Sequence, residues 1–292
     1  MDIERLVIAN PSGNITAIVF DETPRSDMRD IGAKIQSTYP SVEQVLFVER
    51  QGNHIHGQMA GGEFCGNAAR ALGWVMTKRK DGPQTFTMSG SSSPITVDAA
   101  GNIAKLSMRM PLTTEQVIFE DHPVQIVHLE GISHAIMTPE HPMFNFLSRC
   151  AAKPDRWQMV THVLEDLGIH ERSASGLIFM EADERGISIT PYVYVKAINT
   201  LYPEMACASG SIAAAYVMAN DDTPSVLVRQ PSEEILAVSI NPIGKTSKII
   251  VSGNMDVIWD GPAADLEYSA AALSGRHMGV LKTSPLPHAR FG

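Results

Sequence analysis

The chain has 292 residues, 44% of them hydrophobic and 19% charged, with a formal net charge of −9. That length holds one large domain or two smaller ones with an ample core, and that charge argues against a nucleic-acid surface, which needs clustered Lys and Arg. No stretch approaches the ~20 apolar residues of a membrane span, and three cysteines are too few for a disulfide framework and lack zinc spacing.

In chain order, Met1-Asp2-Ile3-Glu4-Arg5 lacks a signal peptide's basic start and apolar run, so a cytoplasmic location is expected. Asn14 to Phe20 and Gln44 to Glu49 read as strands, with counterparts later in the chain at Gly176 to Met180 and Ile187 to Lys196. A helix opens at Cys65-Gly66-Asn67-Ala68-Ala69-Arg70-Ala71-Leu72-Gly73-Trp74-Val75-Met76. Strand-like runs follow at Thr85 to Met88, Ile95 to Val97 and Ala104 to Met110, with Gly101-Asn102 as a turn. Asp155 to Gly168 has the apolar period of an amphipathic helix and suits a linker between halves. A second helix opens at Cys207-Ala208-Ser209-Gly210-Ser211-Ile212-Ala213-Ala214-Ala215-Tyr216-Val217-Met218. Runs at Val226 to Arg229, Ile235 to Ile240 and Lys248 to Val251 complete the series.

The two cysteine segments are near duplicates: small or polar residues after the thiol, an Ala-rich stretch, then aromatic-Val-Met. Helices so poor in charge must be buried, each wrapped by its own curved sheet. The expected fold is therefore α+β, with two pseudo-symmetric lobes each curling a sheet around a central helix. The N-terminal lobe is placed at residues 1–113 and the C-terminal lobe at 114–275, with the tail 276–292 returning to the first. A ligand site is expected where the lobes meet.

A duplicated chain with one thiol at each helix head can present two thiols to one cleft. Stereoinversion at the α-carbon of an amino acid needs a base on one face and an acid on the other. With near-attack distances of ~3.5 Å on each side, the sulfurs of Cys65 and Cys207 are expected roughly 7 Å apart, too far for a disulfide without movement. A helix N-terminus lowers a thiol pKa, and its unsatisfied N–H groups grip a carboxylate. Gly66 and Asn67 on one side, with Ala208, Ser209 and Gly210 on the other, supply that grip. No cofactor is expected.

The Cys-Gly-Asn and Cys-x-Ser-Gly signatures, with Asn10-Pro11-Ser12-Gly13-Asn14, Glu43-Gln44-Val45, Met59 to Ala68 and Gln230-Pro231, resemble the diaminopimelate epimerase superfamily of cofactor-independent racemases. Within it the segments are most similar to the histidine racemases. The resemblance implies a two-base thiol/thiolate racemase interconverting L- and D-histidine, with diaminopimelate or other polar amino acids as the alternative. It points to Asn10, Asn14, Glu43 and Gln44 for the side-chain pocket, while Glu63 and Glu204, each shortly before a cysteine, would tune a thiol or bind the ammonium group; for Glu63 a helix-capping or solvated-surface role stands as an equal alternative. Diaminopimelate epimerases carry a Glu-Arg pair before the second cysteine; here those positions are Ile198 and Asn199. Ala208 replaces the Gly that commonly follows that cysteine. Isomerases of this fold acting on phenazine precursors use a carboxylate in place of one thiol, so the intact pair argues against them.

A non-catalytic amino-acid binding protein, or a redox sensor pairing Cys65 with Cys207, is the rival class; both helix-head motifs retain a thiol with its backbone nest, and a binding protein would need neither. The expected partner is a small amino-acid substrate, with no nucleic acid and no membrane, and a homodimer is compatible with the sequence. Cys150 reads as a packed helix residue. His54-Ile55-His56 lacks a third metal ligand. Gly244-Lys245-Thr246 lacks the upstream Gly of a phosphate loop. His122, His128, His134 and His141 read as structural or surface residues.

Overall fold

The computed structural model describes residues 2–77, 82–153, 156–184, 186–218 and 225–266. The chain opens with β1 (Leu6–Pro11), β2 (Thr16–Val19), α1 (Arg25–Thr38), β3 (Gln44–Gln51), β4 (His54–Met59), α2 (Gly66–Thr77), β5 (Gln84–Met88), β6 (Ile95–Ala100) and β7 (Ile103–Met110). It continues with β8 (Thr113–Phe119), β9 (His122–Leu129), β10 (Ile132–Met137), α3 (Phe144–Ala151), α4 (Arg156–Asp166), β11 (Ala174–Asp183) and β12 (Gly186–Val195). Last come β13 (Thr200–Pro203), α5 (Ala208–Met218), β14 (Val226–Arg229), β15 (Ile235–Ile243) and β16 (Thr246–Gly261).

The pairing shows a chain written twice. Strands β2 and β3 pair in parallel with α1 crossing between them, as β10 and β11 do with α3 and α4. The same relation joins β4 and β5 across α2, and β12 and β14 across α5. In the first copy the strands run β1-β2-β3-β4-β5-β6-β7-β16, and β16 returns to β1, closing a ring. Helix α2 lies inside it, packed on β1, β2, β3, β5, β6 and β7. In the second copy α5 packs on β9, β10, β11, β12, β14, β15 and β16.

Both inner helices are buried on every side over most of their length, from Gly66 to Gly73 and from Ala208 to Ala215. Small residues make that possible. A Cβ on Gly73 would lie 2.2 Å from Val97 Cβ, so α2 meets β6 too closely for any side chain there. The outer helices cover the opposite sheet faces. Along β1, Val7 and Ala9 face the α2 core while Leu6 and Ile8 face the α1 core. Along β10, Ile132 and Ile136 join the α5 core while Ala135 and Met137 join the core under α3 and α4. Strands buried on both faces read as continuous apolar runs, without alternation.

The structure corrects two readings. Helix α4 is no linker: it packs with α3 on the outside of β11, and Val160, Val163 and Leu164 bury beside Leu177 and Phe179. Asp155, where that helix was placed to begin, lies outside the described residues. The strand correspondence also shifts by one: β2 matches β10 and β3 matches β11, because β10 and both outer crossovers intervene. Strand β16 crosses between the copies. Its Ser247–Asn254 segment pairs with β7, and Met255–Gly261 pairs with β1. The tail 276–292 lies outside the described residues.

Candidate active site

Cys65 and Cys207 each stand immediately before an inner helix and cap it in the same way. The Ala68 N–H donates to Cys65 Sγ at 3.4 Å, and the Gly210 N–H donates to Cys207 Sγ at 3.2 Å. In each case the thiol takes the third helical N–H, the place a Ser or Asp side chain usually fills. The helix heads face each other. A Cβ on Gly66 would lie 2.9 Å from Ala208 Cβ, so glycine is what lets the two N-termini meet. Both thiols are free and buried, and both line one cavity of about 20 Å³, room for about one water.

The loop carrying Cys207 is held from both halves. Asn67 Nδ2 donates to Ala206 O at 2.9 Å, Gln44 Nε2 to Glu204 Oε1 at 2.6 Å, and the Met205 N–H to Glu43 Oε2 at 3.1 Å. Gln230 Oε1 accepts the Cys207 N–H at 2.9 Å. Behind Asn67, the fully buried Arg70 donates to Asn67 Oδ1, Ser12 Oγ and the carbonyls of Ala104 and Asn254. That guanidinium ties α2 to the β1–β2 turn, β7 and β16.

The electrostatics differ from the sequence expectation. Helix N–H groups do pull both thiol pKa values down, but burial outweighs them and the Glu204 carboxylate adds to it, so both thiols are pushed up. Three carboxylates share this fate. Burial raises Glu204 to about 8, with the charges of Glu43 and Glu63 adding to it. Burial likewise raises Glu43 and Glu63 to about 7. The closed pocket therefore holds an excess of acidic groups, and a cationic group entering it favours their ionised forms.

Of the residues expected to bind substrate, Gln44, Gly66, Asn67, Glu204, Ala208 and Ser209 line the cavity with the two thiols. Gly210 contributes its N–H to Cys207. Asn14 and Glu43 stand one layer back: Asn14 Nδ2 donates to Glu43 Oε2 at 2.8 Å, and Asn14 is fully buried. Asn10 is turned elsewhere, its Oδ1 accepting the Gly13 N–H, and it lines a separate surface pocket with Asp256 and Glu234. Ile198 belongs to a 3₁₀ turn and Asn199 ends it in a left-handed conformation with φ 49°.

Sequence reasoning missed the apolar wall, made by Phe64, Ile132, Val193 and Val195 with Tyr202. It also missed His134. That ring is fully buried and held neutral by burial, its pKa pushed down to about 3. His134 Nε2 lies 3.0 Å from Ser209 Oγ, which lies 3.5 Å from Cys207 Sγ. Among the described residues His134 Nδ1 has no hydrogen-bond partner, and it abuts Gly176, where a Cβ would come within 2.2 Å. An imidazole with no acceptor at Nδ1 keeps its proton on Nε2. The Ser209 oxygen then accepts from His134, and its own proton is free for the Cys207 sulfur. No motif marks this chain of contacts, because β10 and α5 are far apart in sequence. His54 and His56, by contrast, both bond Thr87 Oγ1.

Residues 5–263 match the family described as histidine racemase CntK N-terminal domain. A histidine racemase of Fusobacterium nucleatum subsp. nucleatum is 31% identical over 222 residues, covering 72% of this chain and 78% of that protein. A PhzF-family phenazine biosynthesis protein of Enterococcus faecalis superposes with a TM-score of 0.60 at 13% identity, covering 90% of this chain and 99% of the other. A hydroxyproline epimerase of Agrobacterium vitis with trans-4-hydroxy-L-proline bound gives 0.56 at 10% identity, covering 88% and 90%. Both structures share the α+β architecture described above.

Proposed function

This chain belongs to the histidine racemase family defined by the CntK N-terminal domain, and from that membership we propose that it interconverts L- and D-histidine by a two-base thiol mechanism without a cofactor. It is an amino-acid racemase. The observation that carries the mechanism is the matched pair of thiols, each capping its own helix and both facing one cavity.

The substrate carboxylate sits between the helix heads, where the first N–H groups of Gly66 and Asn67 and of Ala208 and Ser209 have no helical partner. Its α-carbon lies between the sulfurs. One thiolate takes the α-proton, the negative charge spreads onto the carboxylate under the two helix N-termini, and the other thiol returns a proton to the opposite face. Cys207 hydrogen-bonds Glu204, which is placed to accept its proton, and Ser209 then donates to the thiolate. The substrate ammonium beside Glu204 favours that ionisation. A cavity with room for one water requires the halves to part for histidine to enter, and reclosure excludes solvent. Free thiols serve this chemistry best in a reducing compartment, which supports a cytoplasmic setting.

The test is proton NMR in D₂O with L-histidine and reduced protein, with chirality read in parallel. Loss of the α-proton signal together with D-histidine is the expected result. Cys65→Ala and Cys207→Ala should each abolish inversion while keeping exchange from at most one enantiomer. Full racemisation by either variant would sink the two-base mechanism.

A further inference from the structure

Glu63 acts on Cys65 and Glu204 only through its charge, yet the residue lines the cavity and is 6% exposed. Its own backbone N–H reaches the carboxylate, but among the described residues Oε2 has no hydrogen-bond partner. Arg25 reaches Glu63 only through its charge, and its Nη1 donates to the carbonyls of Met59 and Ala60. A buried carboxylate oxygen without a partner is costly, and the fold makes room for it deliberately. A Cβ on Gly61 would lie 2.4 Å from Glu63 Oε2 and 2.5 Å from Val195 Cγ1, so any larger residue at 61 would displace the carboxylate.

The surroundings describe the missing partner. Glu63 shares the cavity wall with Val193, Val195, Ile132 and the rings of Phe64 and Tyr202. That combination suits a flat group with apolar faces and an N–H at its edge. Glu204, by contrast, is bonded to Gln44 and to the Cys207 thiol, which places it beside the α-carbon and its ammonium.

We propose that Glu63 accepts the imidazole N–H of the substrate and determines side-chain specificity, with the apolar wall holding the ring faces; this rests on histidine being the substrate. An isosteric aromatic amino acid would leave Oε2 unpaired, and sites built to hydrogen-bond a substrate reject analogues lacking the donor strongly.

Calorimetric binding to the wild-type protein and to Glu63→Gln separates the roles. Imidazolepropionate carries the ring and carboxylate without the ammonium, and L-phenylalanine carries the ammonium and carboxylate without the ring N–H. Glu63→Gln should weaken imidazolepropionate by about tenfold or more, the scale of a hydrogen bond to a charged group, and should not weaken phenylalanine. Equal affinity of the two proteins for imidazolepropionate, or a loss confined to phenylalanine, would overturn the proposal. Thermal melts check folding, and Glu63→Gln should melt no lower than wild type because it removes a desolvated charge; if it fails to fold, Glu63→Asp, which retracts the carboxylate, takes its place with the same expected loss. L-histidine exchange by wild type, run alongside, judges racemisation separately: binding without exchange would refute the reaction and leave the Glu63 subsite intact.

Discussion

At the scale of single residues, the site is built by making burial compete with hydrogen bonding. Each thiol receives a helix N–H, which favours the thiolate, and each is buried, which disfavours it more. The two are not equivalent. Among the described residues, Cys207 has a side-chain donor in Ser209, oriented by His134. Ser209→Ala should slow alkylation of Cys207 relative to Cys65 by about tenfold, as loss of one hydrogen bond to a charged group predicts, and should lower kcat by a similar factor. Peptide mass spectrometry after iodoacetamide treatment reads the ratio; an unchanged ratio would remove Ser209 from the role. The cysteines and the helix-head residues were legible in the sequence because local patterns mark them, and Gln44 was implied by the family resemblance. His134 and the apolar wall were not, since their partners come from distant strands.

At the scale of elements, the central helices account for the composition of their own sequences. A helix inside a ring of strands meets backbone on every side, so small residues occupy the places where it comes closest. Gly73 against Val97 is the tightest such contact on α2. Gly73→Ala has no backbone objection, since Ala is the better helix former, so any destabilisation measures packing alone. Overpacking of this kind costs about 1–3 kcal/mol, and a urea melt should show a lower midpoint at unchanged slope. A midpoint equal to wild type would mean that β6 moves aside freely. Strands with one exposed face, such as β6 and β7, alternate and were read correctly. Strand β1 escaped notice because α1 and α2 cover both its faces and erase the alternation.

At the scale of the whole molecule, β16 and Arg70 join what the duplication would leave as two units. One strand closes the ring of the first copy and borders the second, and one guanidinium binds α2 to that strand. The buried carboxylates make the closed molecule pH-sensitive. Glu43, Glu63 and Glu204 have raised pKa values, so the folded state holds protons that the unfolded state has released above 4.5. Their contribution is present at low pH and lost as pH rises through about 7 to 8. His134, depressed from 6.5, acts oppositely, but only below 6.5, where the unfolded ring charges. Between pH 6.5 and 8 the carboxylates act alone, and the melting midpoint of the ligand-free protein should fall. Glu204→Gln should flatten the upper part of that slope. A midpoint that rises over this window would mean that the pocket stands open to water.

The sequence by itself determined the duplication, the two helix-heading thiols and the burial of both helices, because each is written in contiguous residues whose chemistry needs no distant partner. Only the tertiary structure decided the sign of the thiol pKa shifts, the layering of Asn14 and Glu43 behind Gln44, the burial of the Glu63 carboxylate, and the presence of His134 at the site. Desolvation depends on everything that surrounds a group, and here those surroundings come from strands and loops widely separated along the chain.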